Sequence, residues 1–556
     1  MGTGVGAARR RRGTAAGLFG AALLVAGTVL TSGGAYAQPS PGPGGHSTEH
    51  GEGDGRGDGR DGRDGGKGGR GRGDGKPGPG DTPATRPGEQ PTAPGTAAGS
   101  TPTGTGSTGP TGSAPAPGGG ARPAPAPGAV LATVEAGGSA AAPTAQGLQQ
   151  ALAAAVADKS LGTVTFAVAD AAGGQLLYGS GENTPGTPAS TTKLATAIAA
   201  LSLIPGDTRL TTRVVRGADP GTITLVGGGD PTLTALPADQ VQIGGQAADA
   251  DTAPASLDAL ARQTAAALKA AGTTTVKLDY DLSMYAGNPQ HKNHDAQNIA
   301  LVVPLMADEG RVDPKSRDEA PARVADPAGK AAESFAALLK AQGVTVDGTA
   351  KPAAAPAAPA APAAPAATVL GRVDSPTVAR LVERMLTTSD NQLAEAMARQ
   401  AALAAGQPAS FEGAATAVTR ELAKLGVPMT GVSLNDGSGL HPGNAVPPAV
   451  LVQLLALAAS DQHPALRPVL TGLPIAGFTG TLGKRYGTGS GAAAAAGLIR
   501  AKTGTLSGVN TLAGTVVDAD GRLLAFAVMT RTTAPADTAR AAMDRIAARL
   551  ATCGCR

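Results

Sequence analysis

Ser190 and Lys193 stand three residues apart in Pro188-Ala189-Ser190-Thr191-Thr192-Lys193-Leu194. The run that follows, to Leu203, is mostly Ala, Leu and Ile, which predicts a buried helix. Residues three apart share a helix face, so Lys193 can reach back over Ser190. A lysine held neutral there can take the proton of the serine hydroxyl and free its oxygen for attack on a carbonyl. The unpaired N–H groups and positive end of a helix N-terminus suit the oxyanion that such an attack creates. A serine capping a core helix, with its lysine reaching out to water, would leave the same four letters in the sequence.

Two later stretches decide between those readings. Ser389-Asp390-Asn391 lies between two helix-patterned segments. Lys502-Thr503-Gly504 follows the apolar run Gly497-Leu498-Ile499 and precedes a predicted hairpin, with Thr505 just beyond. Ser190 to Lys193 is the only S-x-x-K in the chain, and Lys502 opens the only K-T-G. S-x-N recurs at Ser433-Leu434-Asn435. Ser389 is preferred because a helix–helix junction lets its side chain face a cleft. In this order the three motifs are those of penicillin-interacting serine enzymes.

The elements that must position these residues occupy only part of the 556-residue chain. Residues 1–37 read as an export signal. Arg9 to Arg12 are basic, Ala15 to Leu30 are apolar and Ala35-Tyr36-Ala37 is an A-x-A cleavage site. The apolar run is short for a spanning helix; left uncleaved, it would serve as an anchor. Four successive arginines also permit twin-arginine export. Residues 38–128 are mostly Gly, Pro, Asp, Arg, Ser and Thr, too poor in apolar surface to offset the entropy of ordering. Aromatics make up 2% and Trp is absent, so the core must be built from Ala, Val and Leu. A net charge of +3 gives no argument for nucleic acid. Cys553 and Cys555 are the only cysteines. Export permits their oxidation, and free thiols or pairing with another molecule stay open.

Folding is expected from about Ala129. Residues 129–212 form the first part of the domain: a helix over Ala145 to Ala157, with Leu148, Leu152 and Val156 on one stripe, then a strand, a turn, its partner and the Ser190 helix. Residues 213–348 read as an inserted subdomain of strands and helices between the first two motifs. Within it, His291 and His294 invite a metal, but a further ligand at a convincing spacing is missing, so an exposed loop is expected. Residues 349–367, with the Ala-Ala-Pro repeat of Lys351 to Ala367, predict an extended spacer outside the core. Residues 368–556 carry helices from Pro376 onward, a hairpin over Thr511 to Thr530 and a closing helix. The pattern is α/β: an antiparallel sheet flanked by helices and interrupted by the insert.

With their surroundings, the motifs resemble the D-alanyl-D-alanine carboxypeptidase/endopeptidase family of low-molecular-mass penicillin-binding proteins. Gly227-Gly228-Gly229-Asp230-Pro231, Asp436-Gly437-Ser438-Gly439-Leu440, Leu473 to Phe478 and Arg500 to Thr505 carry the similarity. His441 stands where a small polar residue is more usual. The resemblance implies a transpeptidase/β-lactamase-like fold, Ser190 as acylated nucleophile and Lys193 as general base. It implies proton relay and peptide holding by Ser389 and Asn391. Lys502 would supply positive charge, Thr503 and Thr505 would bind the terminal carboxylate, and Gly504 completes the motif. The N–H groups of Ser190 and Thr505 would form the oxyanion hole. No metal or cofactor is implied. Expected partners are peptidoglycan stem peptides, with β-lactams as covalent inhibitors, outside the cytoplasm. Burial and the Lys502 charge are both expected to lower the pKa of Lys193. A serine β-lactamase shares all three motifs, but the insert separating the first two and the absence of a fitting E-x-x-L-N loop weigh against it. A non-catalytic wall-binding protein would have no need of all three motifs intact.

Overall fold

The first and last strands of the domain meet at its centre. The computed structural model describes residues 140–217, 219–243, 246–316, 318, 320–355 and 368–556. The export signal, the Gly/Pro-rich segment and most of the Ala-Ala-Pro run lie outside the described residues. The chain begins with helix α1 (Ala145–Val156) and strands β1 (Thr163–Asp170) and β2 (Leu176–Ser180), then helix α2 (Thr192–Leu203).

The insert follows. It runs through β3 (Arg209–Arg216), β4 (Thr222–Val226), β5 (Gln242–Ile243), β6 (Gln246–Ala247), α3 (Leu257–Ala270), β7 (Thr275–Asp281), α4 (Pro327–Ala341), β8 (Thr345–Val346), β9 (Lys351–Pro352) and β10 (Val369–Thr377). The chain then returns through α5 (Val378–Thr388), α6 (Asn391–Ala404), α7 (Phe411–Lys424), α8 (Pro448–Ala459) and α9 (Pro468–Thr471). It closes with β11 (Ile499–Leu506), β12 (Val509–Val517), β13 (Leu523–Arg531) and α10 (Ala536–Ala551).

The main sheet is antiparallel in the order β11-β12-β13-β1-β2. Alternation along its strands gives it two unlike faces. Phe166, Val168, Leu512, Phe526 and Val528 pack with Leu148 and Leu152 of α1 and Met543, Ile546 and Leu550 of α10. The opposite face is built from Ala167, Ala169, Ala513, Ala525 and Ala527, and α8 lies against it. Small side chains there let a second layer of helices come close. Within that layer α2 is enclosed: Thr192 to Leu201 are all buried, as its nearly unbroken apolar run requires.

The insert has its own sheet, β10-β3-β4-β7-β8, with β9 beside β7, and its own core under α3 and α4. β4 and β7 are parallel, because α3 carries the chain back over the sheet between them. This sheet draws on residues on either side of the 213–348 expected for the insert. β3 starts at Arg209, and β10 pairs with β3 in a stretch whose Gly371 and Pro376 mask the strand signal in the sequence. The spacer expectation also needs correcting at its start. Lys351 and Pro352 pair with Asp279 and Tyr280, and the Ala355 N–H donates to Asp281 at 2.9 Å. Cys553 and Cys555 are joined as a disulfide.

Candidate active site

Ser190 lies in a single 3-10 turn, Ala189–Thr191, just ahead of α2. Thr191 and Thr192 donate back to the carbonyls of Pro188 and Ala189 at 2.6 and 2.8 Å, which tightens the turn. Ala189 is held there at a φ of 47°, a conformation a side chain enters only at a cost. Ser190 is no helix cap, because its Oγ accepts from Lys193 Nζ at 2.9 Å. Nor does Lys193 reach water; its side chain is completely buried. Nζ also donates to Asn391 Oδ1 and to the Ser438 carbonyl, both at 2.7 Å. A protonated lysine uses its three donors on these three oxygens. A neutral one keeps two N–H bonds, to Asn391 and Ser438, and aims its lone pair at Ser190.

Asn391 opens α6, and its Nδ2 donates to the Asn298 carbonyl of the insert at 3.2 Å. That bond turns Oδ1 toward Lys193. Ser389 is the junction between α5 and α6, in the left-handed region at a φ of 61°. Its Oγ accepts from Lys502 Nζ at 2.8 Å. Asp390 caps α6 through the Leu393 N–H. The second S-x-N is elsewhere: Asn435 bonds Gly443 and Asn444 and lines a separate cavity of about 530 Å³ beside Lys292 and Arg420.

Lys502, Thr503, Gly504 and Thr505 lie on β11, the edge of the main sheet. Pro474 to Ala476 cover that edge beside Ile499 to Ala501, and the cover stops short of the motif. Lys502 is buried and also donates to the Thr503 carbonyl at 2.7 Å. The Thr503 hydroxyl meets that of Thr481 at 2.8 Å. Thr505 is exposed and accepts from Arg540 of α10 at 3.1 Å. Glycine at 504 has a steric cause. A Cβ there would fall 2.2 Å from Thr511 Oγ1, 2.8 Å from the Pro188 carbonyl and 2.9 Å from the Ser190 nitrogen. The missing side chain lets β11 press against the nucleophile turn.

Burial depresses both lysines. Desolvation lowers Lys193 to about 8, against the opposing pull of Asp436, Asp390 and Glu395. Desolvation, and then the Lys193 charge, push Lys502 well below its ordinary value. Burial is the largest influence on each, and the two positive charges disfavour each other.

His294 overturns the exposed-loop expectation. Its side chain is 1% exposed, and Nε2 lies 2.8 Å from Asp436 Oδ2. His294, Glu395 and Asp436 offer atoms within 4.8 Å of one another, a spacing that a metal could use. Their oxygens are already engaged, however. Glu395 accepts from the Gly437 and Ser438 N–H groups, and Asp436 from Gly439, His441 and Asn444. A hydrogen-bonded network accounts for the cluster. Motif reading passed over Glu395 and Arg540. For Glu395 a signal existed, since it sits four residues after Asn391 on the same helix face.

A buried serine–lysine pair, S-D-N at a helix junction and K-T-G on the edge of a five-stranded antiparallel sheet define a serine enzyme of the transpeptidase/β-lactamase fold. The chain belongs to the D-Ala-D-Ala carboxypeptidase 3 (S13) family, whose pattern matches residues 148–323 and 309–550. It is a serine-type D-Ala-D-Ala carboxypeptidase. It is 37% identical over 426 residues to carboxypeptidase DacB of Mycolicibacterium smegmatis, covering 75% of this chain and 86% of that one. A carboxypeptidase of Mycobacterium tuberculosis is 35% identical over 427 residues, with the same two coverages. Among solved structures, penicillin-binding protein 4 of Haemophilus influenzae has the same fold. Its TM-score is 0.53 at 20% identity, over 72% of this chain and 97% of that one. The same protein has also been solved in complex with a β-lactam, at a TM-score of 0.51 and 21% identity, over 71% of this chain and 97% of that one.

Proposed function

We propose that this carboxypeptidase trims the D-Ala-D-Ala ends of peptidoglycan stem peptides through an acyl-enzyme on Ser190, with Lys193 as general base. The observation that carries the reading is the aim of Lys193: two fixed acceptors hold its N–H bonds, and Ser190 Oγ lies 2.9 Å along the remaining direction. The substrate strand lies along the uncovered part of β11, with its terminal carboxylate at Thr503 and Thr505. Arg540 beside Thr505 adds a guanidinium suited to a carboxylate. Arrival of that anion also favours the charged form of Lys502.

Ser190 Oγ bonds to the carbonyl carbon of the penultimate D-Ala while its proton passes to Lys193 Nζ. The N–H groups of Ser190 and Thr505 hold the oxyanion. The C–N bond then breaks. Lys193 gives up the proton it took, the Ser389 hydroxyl held by Lys502 relaying it to the leaving amine, so that Lys193 is neutral again as free D-Ala departs. Water attacks the ester, Lys193 takes its proton, and Ser190 is restored as the shortened peptide leaves. A β-lactam completes only the first half: Ser190 opens the ring amide, and the ring nitrogen stays tethered, blocking water.

The test is D-Ala release from a D-Ala-D-Ala pentapeptide together with mass spectrometry after penicillin treatment. Release and a stable penicilloyl adduct on the Ser190 peptide are expected, both lost in Ser190→Ala. Undiminished release by Ser190→Ala overturns the reading. Rapid turnover of the adduct would favour a β-lactamase. The signal read in residues 1–37 supports action outside the cytoplasm, checked by finding mature protein that begins at Gln38.

A further inference from the structure

The turn Asp436-Gly437-Ser438-Gly439 is held more firmly than a surface turn needs. Glu395 grips the Gly437 and Ser438 N–H groups at 3.1 and 2.8 Å. Asp436 Oδ1 accepts from Gly439 N–H at 2.9 Å and from Asn444 Nδ2 at 2.6 Å. Oδ2 accepts from His441 N–H at 2.7 Å and takes His294 Nε2 at 2.8 Å. All this leaves the Ser438 carbonyl fixed against Lys193. Four of the donors to Asp436, from Ser438, Gly439, His441 and Asn444, belong to the turn or its next few residues. His294 alone among them comes from the insert, 142 residues away in sequence.

We infer that His294 is a positioning residue for the general base: by donating to Asp436 it sets the turn whose Ser438 carbonyl aims Lys193 at Ser190. The inference rests on the reading of Lys193 as that base. Asp436 can only accept when ionised, so Nε2 carries the hydrogen. Burial works to raise Asp436, but the bonds from His294 and Asn444 outweigh it and hold the carboxyl below its usual range. Phe411 stands edge-on to the imidazole, with centroids 5.2 Å apart at 87°, and fixes the ring plane. The insert thereby reaches the centre of the chemistry by way of Asp436.

A second consequence is electrostatic. Asp436 favours the charged form of Lys193, and the His294 N–H offsets part of that pull. The groups facing His294 are Asp436, Glu395, His291 and His441. Those facing Lys193 are Asp436, Asp390, Glu395 and Lys502. Removing the N–H leaves Asp436 less compensated, so the acid limb of acylation moves to higher pH. Loss of packing alone would slow the enzyme without moving that limb.

The experiment is the second-order rate of acylation by a fluorescent penicillin on the full chain, between about pH 6 and pH 10. The variants are His294→Ala, His294→Gln and Lys193→Arg. His294→Ala is expected to be on the order of tenfold slower at neutral pH, about 1.4 kcal/mol, with its acid limb raised. His294→Gln places an amide N–H near the position of Nε2 and should recover most of the rate and the original limb. Should His294→Ala fail to fold, His294→Asn replaces it, being polar but too short to reach Asp436. A His294→Ala rate within twofold of wild type and an unmoved limb overturns the inference. So does a His294→Gln variant as slow as His294→Ala with the limb unmoved. Normal acylation of Lys193→Arg would instead sink the base assignment itself, and this inference with it.

Discussion

Two lysines share one cleft and one degree of burial, yet their surroundings differ. Behind Lys193 stand Asp436, Asp390 and Glu395, each favouring its charged form, and they hold it at about 8 despite complete desolvation. Lys502 is set by burial and by the charge of its neighbour, and it falls well below its ordinary value. The difference separates two tasks. A base needs a pKa near the working pH, strong enough to take a proton and weak enough to be free of one. A site for an anion gains from a cation short of partners, because the arriving carboxylate then becomes the missing one. The same burial serves both roles, and the carboxylates of Asp390, Glu395 and Asp436 around Lys193 decide which lysine has which.

Exchanging charge for basicity breaks the comparison most sharply. Lys193→Arg keeps a cation but no usable base, and acylation should fall on the order of a thousandfold, roughly 4 kcal/mol. Lys502→Arg should lose about tenfold, since there the charge is what is used. Equal losses in the two variants would erase the distinction. Varying pH comes next. The neutral form of Lys193 is the active one, so acylation should rise with pH up to about 8 and then level off. Below that point it should drop about tenfold per unit. A limb at the value of a free lysine would show that burial does not tune it.

A smaller perturbation moves the two lysines relative to each other. The Cβ of Gly504→Ala would meet the Thr511 hydroxyl, the Pro188 carbonyl and the Ser190 nitrogen, forcing β11 away from the nucleophile turn. Overpacking of this kind costs about 1–3 kcal/mol, to be seen as a lowered Tm and roughly tenfold slower acylation. An unchanged Tm and rate would mean that the contact relaxes without consequence. Least is expected of Arg540→Ala. It removes a second cation near the proposed carboxylate site, and KM for D-Ala-D-Ala peptides should rise about threefold, well under 1 kcal/mol, with kcat unchanged. A fall in kcat instead would place Arg540 in the chemistry rather than in binding.

Motif order and hydrophobic period carried much of this protein in the sequence itself. Ser190, Lys193, Ser389, Asn391 and Lys502 were legible because their chemistry depends on local spacing: one helical turn, one helix junction, one strand. The hairpin of β12 and β13 and the helices α1, α2 and α10 were legible because apolar residues repeat at the period of the element they build. Edge strands of the insert were harder to see. β10 carries glycine and proline, and β9 opens a run that otherwise has the composition of a spacer, so only pairing with β3 and β7 reveals them as strands. What the tertiary structure alone decided is the set of contacts between residues far apart in the chain. Asn298 turns the Asn391 amide, Ser438 accepts from Lys193, and His294 reaches Asp436. No local pattern encodes these, because they depend on how the insert docks against α6 and the 436–439 turn and on how that turn packs against α2. The lowering of both lysines belongs to the tertiary structure too, since burial and the nearness of a carboxylate exist only once the layers have closed.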